Sequence, residues 1–150
     1  MYPEQKVKEY LAYTAKLKGL SKKDTKAGIE EMLERCLLTD VSAKLCSQLS
    51  KGYRQRVGLA AAILHKPPVI FLDEPTTGLD PAQIIEIRKL IKSLSEDHTV
   101  VLSTHLLAEV SETCSHAIII SKGEVVAQGS IAELTSERSL EERFLEAVSS

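Results

Sequence analysis

The segment from Val69 to Pro81, VIFLDEPTTGLDP, constrains the fold of this chain more than any other. It opens with a short apolar run without alternation, which predicts a strand buried on both faces. Asp73 and Glu74 follow at once, and Pro75 ends the strand because it has no backbone N–H to donate. Open α/β sheets bind ligands at such strand ends, so one carboxylate can hold a hydrated metal ion while the other orients or deprotonates water. The alternative is that both carboxylates are solvated turn residues.

A helix and a second strand are expected after these acids. Asp80, followed by a proline, predicts a helix N-cap, and Gln83 stands where a capping-box residue would stand. This is a complete structural explanation for Asp80. A second buried strand is predicted at 99–102, and a strand–helix–strand crossover brings both strand ends to one edge of the sheet. His105 is therefore expected near Glu74, although a lone histidine after a strand is usually a loop residue.

The residues LSKGYRQR, at 49–56, lead into a predicted helix over 57–65. Ser50 is a credible N-cap, and Gly52 lets a ligand approach the backbone of the first turn. Free N–H groups, a hydroxyl and Lys51 together make an anion site at this helix start. The pattern is weak by itself, because serine is far more often a plain N-cap than a phosphate ligand.

The first 37 residues have the periodicity of a helical hairpin that is charged on its outer side. The expected inner faces carry Val7, Tyr10, Leu11, Thr14 and Leu17 on the first helix, and Ile29, Met32, Leu33, Cys36 and Leu37 on the second. Gly19 is the expected stop between them, and Ser21 the expected cap of the second helix. Residues 38–48 are irregular and polar and make the best internal boundary.

The C-terminal part predicts a short helix, a β-hairpin and further helices. The hairpin strands, at 116–120 and 124–127, are joined by a turn at Lys122-Gly123. Ser130 and Ser139 each begin a capping-box pattern. The last helix is expected to carry Leu140, Phe144, Leu145 and Val148 on one side.

Composition excludes several classes of protein. The 150 residues are 43% hydrophobic and 27% charged, which is typical of one globular domain rather than a disordered chain. A net charge of −2 lacks the basic excess of a general nucleic-acid binder. The longest apolar run, 57–64, is too short to span a bilayer, and the N-terminus has no signal-peptide pattern. Three widely spaced cysteines fit a reducing cytosol and no zinc site, so a soluble, cytosolic protein is expected.

Four motifs together resemble those of ATP-binding cassette (ABC) ATPases. LSKGY followed by RQR is similar to the signature motif, VIFLDEP to the Walker B strand, TTGLDP to the D-loop, and STH at 103–105 to the switch-histidine loop. Their order and spacing match from Met1 to about Leu145. The resemblance implies an α/β P-loop NTPase of ABC type, with a mostly parallel sheet flanked by helices. Residues 1–48 would be part of the helical subdomain, and 49–150 the C-terminal part of the nucleotide-binding core.

The resemblance implies ATP and Mg²⁺ as ligands of this core. Asp73 would hold Mg²⁺ through water, Glu74 would polarise the attacking water, and His105 would contact the γ-phosphate of ATP.

The resemblance also implies partners. Ser50 and Gly52 would bind the γ-phosphate of ATP held by a second ABC ATPase subunit, with Lys51 adding charge of the useful sign. Asp80 would communicate across that dimer. Residues 1–48 would dock on transmembrane permease subunits, which places the protein on the cytoplasmic face of a membrane. No direct contact with nucleic acid is expected.

The sequence departs from the family pattern in two ways. Lys51 and Tyr53 stand where the commonest signature has Gly and Gln. More seriously, the sequence contains no G-x-x-x-x-G-K-[ST] loop (Walker A), glutamine loop or adenine-stacking aromatic, and Met1 aligns just after that glutamine. The missing loop performs most of the cis-side positioning and charge neutralisation in phosphoryl transfer. The expectation is a chain without its N-terminal part that does not hydrolyse ATP alone and leaves apolar sheet edges exposed.

Three functions are consistent with these residues. The first is an ABC transporter ATPase subunit, most similar to those of bacterial exporters, present as an N-terminally truncated chain. The second is a non-catalytic interaction protein that docks on or completes another ABC ATPase. The third is a chromosome or DNA-repair ATPase with the same motifs, which the absence of long heptads and the transporter-like residues 1–48 disfavour.

Overall fold

Three helices form the first layer of the fold. In the computed structural model, which describes residues 1–136 and 138–149 and the side chains as far as 146, the helices are α1 (Val7–Leu17), α2 (Lys22–Arg35) and α3 (Lys51–Ile63). Ser21 caps α2 by accepting from the Asp24 N–H at 3.2 Å, as expected of a short polar N-cap. Gly19 ends the α1 segment with φ of +80°, a conformation that glycine adopts without strain.

The inner faces of α1 and α2 are largely those expected. The buried residues are Val7, Leu11 and Ala15 on α1, and Ile29, Met32 and Leu33 on α2. Two expectations are wrong: Leu17 is 69% exposed and Leu37 is 59% exposed. Each lies where its helix ends. The chain turns at Leu37 with a left-handed φ of +54°, so the helical period no longer determines which way this side chain points.

The segment 38–48 packs as part of this unit. It contains two short 3₁₀ turns, Thr39–Val41 and Cys46–Gln48, and it buries Leu38 and Val41. Its backbone is tied to the start of the chain, since the Val7 N–H donates to the Lys44 carbonyl and the Cys46 N–H to the Gln5 carbonyl. The irregular path was predicted, but the apolar burial was not.

A parallel pair of strands follows α3. β1 (Val69–Asp73), α4 (Pro81–Leu94) and β2 (Thr99–Ser103) form the expected strand–helix–strand unit. The register pairs Val69 with Thr99 and Asp73 with Ser103. The two strands therefore end side by side.

Burial on both faces of β1 and β2 was wrongly predicted. Ile70 is buried among the helices, whereas Phe71 is 77% exposed, and Val69 and Val101 are each more than two-fifths exposed. The apolar run reflects a strand that can be covered on two sides. Within the described residues, only one side is covered.

The remaining elements form a second compact unit, 104–150, separate from 1–103. It contains α5 (Leu107–Thr113), β3 (His116–Ser121), β4 (Glu124–Ser130), α6 (Ile131–Leu134) and α7 (Leu140–Ser149). β3 and β4 pair antiparallel, and the predicted turn uses two positive φ angles, +51° at Lys122 and +84° at Gly123.

The core of the second unit is small. Ile119, Leu134 and Leu140 are buried together, with Phe144 packed against them. The placement of Leu145 on this inner side was wrong, since it is 63% exposed; the Val148 side chain lies outside the described residues. Both predicted capping boxes are present: the Glu133 and Glu142 N–H groups each donate to a serine hydroxyl at 3.2 Å.

Candidate functional site at the carboxyl end of the parallel strands

Asp73 and Ser103 face each other at the carboxyl ends of β1 and β2. The register makes them direct partners, and the Ser103 hydroxyl donates to Asp73 Oδ1. The ladder continues one step further, because the Glu74 N–H donates to the Ser103 carbonyl at 3.0 Å. The predicted carboxylate therefore lies at the predicted edge. The sequence motif that contains Ser103 predicted no role for this residue, and the strand register was the signal that could have identified it.

Glu74 leaves the strand in a left-handed conformation. Its φ of +48° is uncommon for a residue with a Cβ and carries a modest conformational cost. A tight turn holds it, since the Thr77 N–H donates to the Glu74 carbonyl at 3.2 Å and the Thr77 hydroxyl to Oε2 at 2.6 Å. The Glu74 carboxylate is thus oriented by its own loop.

The donors at this edge are oxygen atoms of a kind that hard cations accept. The exposed Asp73 carboxylate and the Ser103 hydroxyl fit Mg²⁺, which usually binds one or two carboxylates and keeps several waters. Within the part of the chain that the structure describes, no three His, Cys, Asp or Glu residues cluster as an all-protein cage would require.

The start of α3 has the geometry expected of an N-cap. Ser50 is extended, with φ of −62° and ψ of 165°, and its hydroxyl accepts from the Tyr53 N–H at 3.4 Å. Gly52 is buried in the first turn, while Ser50 and Lys51 are exposed. The helix begins at Lys51, several residues before the predicted start at 57.

The same turn contacts the segment that follows β1. Gln55 Nε2 donates to the Pro75 carbonyl, and the Lys51 ammonium lies over Gly78. Gln83 lies over Gly52, where an added Cβ would be 2.8 Å from Oε1. The structure therefore brings the predicted anion turn, Ser50–Gly52, against the loop that carries Asp80.

Asp80 is the N-cap of α4, as predicted. Its Oδ1 accepts from the Gln83 N–H at 2.9 Å. The Gln83 side chain was expected to complete a capping box at this helix start. It lies instead over Gly52, because tertiary packing against α3 is available to it.

A buried arginine secures α3 to α4 behind these loops. Arg56 is only 7% exposed, and its guanidinium pairs with Glu86 and lies 5.5 Å from the centre of the Tyr53 ring. Guanidinium groups favour such combined ion-pair and ring contacts. Sequence reasoning gave no role to Arg56 or Glu86.

His105 belongs to the second unit. It is exposed and lies in the short connection between β2 and α5, where the Leu106 N–H donates to the Thr104 hydroxyl at 3.1 Å. Its approach to Glu74 stays a prediction.

Comparison with known proteins identifies the family. The sequence profile described as "ABC transporter" matches residues 1–77, which is more than half of the chain. The chain belongs to the ABC transporter ATP-binding family. A second profile, described as "AAA domain, putative AbiEii toxin, Type IV TA system", matches 46–111, less than half of the chain.

Curated ABC relatives from bacilli are similar over most of the chain. It is 37% identical to the uncharacterized ABC transporter ATP-binding protein YhaQ of Bacillus subtilis, with 89% of this chain and 45% of YhaQ covered. It is 38% identical to the ABC transporter ATP-binding protein NatA of B. subtilis, covering 93% of this chain and 57% of NatA. It is 39% identical to the bacitracin transport ATP-binding protein BcrA of Bacillus licheniformis, with 85% of this chain and 41% of BcrA covered. The chain thus spans about half the length of these relatives.

Solved ABC structures share the fold. An ATP-binding subunit of an ABC transporter superposes with a TM-score of 0.82 at 28% identity, covering 98% of this chain and 64% of that one. The protein cbiO1 of Clostridium perfringens, part of the ABC transporter complex cbiONQ, superposes with a TM-score of 0.81 at 27% identity. The match covers 93% of this chain and 57% of cbiO1. The predicted fold class, an α/β P-loop NTPase of ABC type, is confirmed.

Among the described residues, no helix is long and apolar enough to cross a membrane.

Proposed function

We propose that this chain is the signature and Walker B portion of an ATP-hydrolysing subunit of an ABC transporter, and that it does not hydrolyse ATP alone. The observation that carries the proposal is the contact between the Ser50–Gly52 turn and the loop ending at Asp80. The Ser50–Gly52 turn can bind an anion, and the loop ending at Asp80 packs against it. Together they suit a surface that faces a nucleotide bound to a partner subunit. Relatives named as ABC transporter ATP-binding proteins support the same assignment.

The acidic edge would supply the hydrolytic side of the site. Asp73, with Ser103 beside it, would hold Mg²⁺ through water, and the ion would neutralise phosphate charge when bound. Glu74, oriented by Thr77, would polarise the attacking water as a general base. His105 would contact the γ-phosphate.

The partners follow from the same assignment. Residues 1–48, as part of the helical subdomain, would dock on transmembrane permease subunits, and a second ABC ATPase subunit would bring ATP to Ser50, Lys51 and Gly52. The protein would then act at the cytoplasmic face of a membrane. We propose transport out of the cell, because the signature motif and the C-terminal helix are most similar to those of ATPase subunits of bacterial exporters. The name of the relative BcrA, a bacitracin transport ATP-binding protein, supports a role in transport.

A fusion tests the proposal. The chain alone should give no ATP turnover above background, because positioning by a phosphate-binding loop dominates phosphoryl transfer. Fusion behind an ABC-type strand and G-x-x-x-x-G-K-[ST] loop should produce Mg²⁺-dependent turnover. Glu74→Gln in the fusion should abolish that turnover, while Glu124→Gln, on an exposed strand position, should leave it unchanged. A folded fusion without turnover would contradict the proposal and favour a non-catalytic interaction protein. Turnover that survives Glu74→Gln would contradict the role proposed for Glu74.

A further inference from the structure

One residue, Gln83, contacts both Gly52 and Asp80, two of the residues singled out above. The Gln83 N–H donates to Asp80 Oδ1 at 2.9 Å, which fixes the start of α4. The carboxamide of the same residue lies over Gly52, with Oε1, Cδ and Nε2 placed 2.8, 2.9 and 3.3 Å from the position of an added Cβ. Gln83 therefore contacts the anion turn with its side chain and the acidic cap with its backbone.

The loop between β1 and α4 is held by local turn bonds and by contacts with β2 and α3, and the Glu74 N–H donates to the Ser103 carbonyl of β2. Its own hydrogen bonds are turn bonds of short range, from the Thr77 N–H to the Glu74 carbonyl and from the Leu79 N–H to the Thr76 carbonyl. Such bonds fix the local shape of the loop but do not attach it to a neighbouring element. Among the described residues, the contacts of this segment with α3 include the Gln55 donation to the Pro75 carbonyl, the Lys51 ammonium over Gly78, and the Gln83 carboxamide over Gly52. Of these three side chains, Gln83 is the one whose own backbone bonds to Asp80.

We propose that Gln83 is a positioning residue that couples the Ser50–Gly52 turn to Asp80, with Gln55 holding the other end of the loop. The glycine at 52 makes the coupling possible, since any larger residue would displace the Gln83 carboxamide. A ligand that moves the Gly52 backbone would in this way also move the Asp80 cap. The functional meaning of the coupling rests on the proposed function, but the mechanical link does not.

A mutant cycle without ligand tests the link. Asp80→Ala removes the α4 cap, and loss of about 1 kcal/mol of local stability corresponds to about fivefold faster exchange of affected amides. In the otherwise unchanged chain, Asp80→Ala should accelerate hydrogen exchange of the Tyr53 amide, which reports the first turn of α3. In a Gln83→Ala background this effect at Tyr53 should disappear. It should persist with Lys89→Ala, a control on the exposed side of α4.

Two results would overturn the inference. One is an unchanged Tyr53 amide when Asp80→Ala is introduced alone. The other is an effect at Tyr53 that persists in the Gln83→Ala background. Exchange of amides in α2 serves as the reference for global unfolding, so acceleration counts only where α2 is unaffected.

A titration with Mg²⁺·ATP gives a second measurement. It does not use the Asp80→Ala variant, so the result does not depend on whether that variant folds. Amide shifts at both Gly52 and Asp80 are expected in the original chain, and Gln83→Ala should retain the first and lose the second. Retention of both shifts would contradict the coupling. Absence of any shift at Gly52 would show that this turn does not bind ATP without a partner subunit, and the ligand-free cycle would then decide the role of Gln83.

Discussion

Individual side chains in this protein are governed by burial as much as by their own chemistry. Cys36 is completely buried in the helical core, and burial raises the pKa of its thiol to about 12, despite the opposing charges of Arg35 and Arg56. Burial also raises the pKa of Cys114, and the carboxylate of Glu109 adds to the effect. Since the thiolate is the nucleophile, both thiols should react more slowly in the folded protein than an ordinary exposed cysteine.

Alkylation should reveal this burial. With iodoacetamide at pH 8, we expect Cys114, which is partly exposed, to be modified before Cys36, which should react only when the helical core opens. Peptide mass spectrometry over time measures both rates in one sample. Addition of urea should remove the difference between the two sites. Rapid modification of Cys36 without urea would show that the core is open.

At the scale of single residues, the sequence predicts helix N-caps better than it predicts which distant residues a side chain contacts. Ser50 and Asp80 were expected as N-caps and are N-caps, because a cap depends on a few adjacent residues. Gln83 was expected to bond back to its own helix start, and it lies over Gly52 instead. That outcome depends on a residue far away in the sequence, which no local pattern encodes.

Two helices of the second unit, α6 and α7, begin with charged capping boxes. Hydrogen bonds from the Ser130 hydroxyl and N–H hold the pKa of Glu133 below its ordinary value of 4.5. Hydrogen bonds from the Ser139 N–H and hydroxyl lower the pKa of Glu142 in the same way. A carboxyl with a lowered pKa in the folded state stabilises that state at pH values above its unfolded pKa.

Acid should therefore destabilise α6 and α7. The stabilisation should be complete above about pH 4.5 and should fall as pH drops through the lower, folded pKa values. Circular dichroism during acid titration should show a smaller loss of stability between pH 5 and pH 2 in the double variant Glu133→Gln/Glu142→Gln. Glu141→Gln, next to the second capping box but outside it, is the control and should titrate like the unchanged protein. Equal pH dependence in all three proteins would refute the role of the caps.

The existence and order of the elements followed from periodicity, but the burial of the strands did not. A continuous apolar run identifies a strand that can be covered on both faces. Ile70 and Phe71 are adjacent in this run, yet Ile70 is 4% exposed and Phe71 77% exposed. Whether a second layer is present is a property of the whole assembly rather than of the strand.

The molecule as a whole exposes apolar strand surface on each of its two units. Phe71 and Val101 are exposed on the parallel pair, and Ile118, Ile120 and Val125 on the hairpin. Monomeric proteins rarely leave such surfaces open, and uncovered strands promote association between copies. The isolated chain is thus expected to self-associate at high concentration.

Phe71→Thr should reduce this association at little cost in stability. Threonine keeps a high strand propensity, and an exposed position contributes within about 0.5 kcal/mol. Sedimentation velocity over a concentration series measures the association, and urea unfolding measures the stability. Ile70→Thr, one residue earlier and buried, is the matched comparison and should cost about 2 kcal/mol or more. Equal costs for the two variants would show that Phe71 is covered in solution.

The register between β1 and β2 limits which insertions this chain can accept. Asp73 meets Ser103 only because Val69 is aligned with Thr99, and neighbouring residues of a strand point to opposite faces. A one-residue insertion within β2, before Leu102, would pair Leu102 with Asp73. Every later side chain of the strand would then point to the opposite face of the sheet. The same insertion at 95–98, in the connection before β2, could be absorbed as a longer loop. Length variation among natural relatives should accordingly accumulate in this connection and be absent from β2 itself.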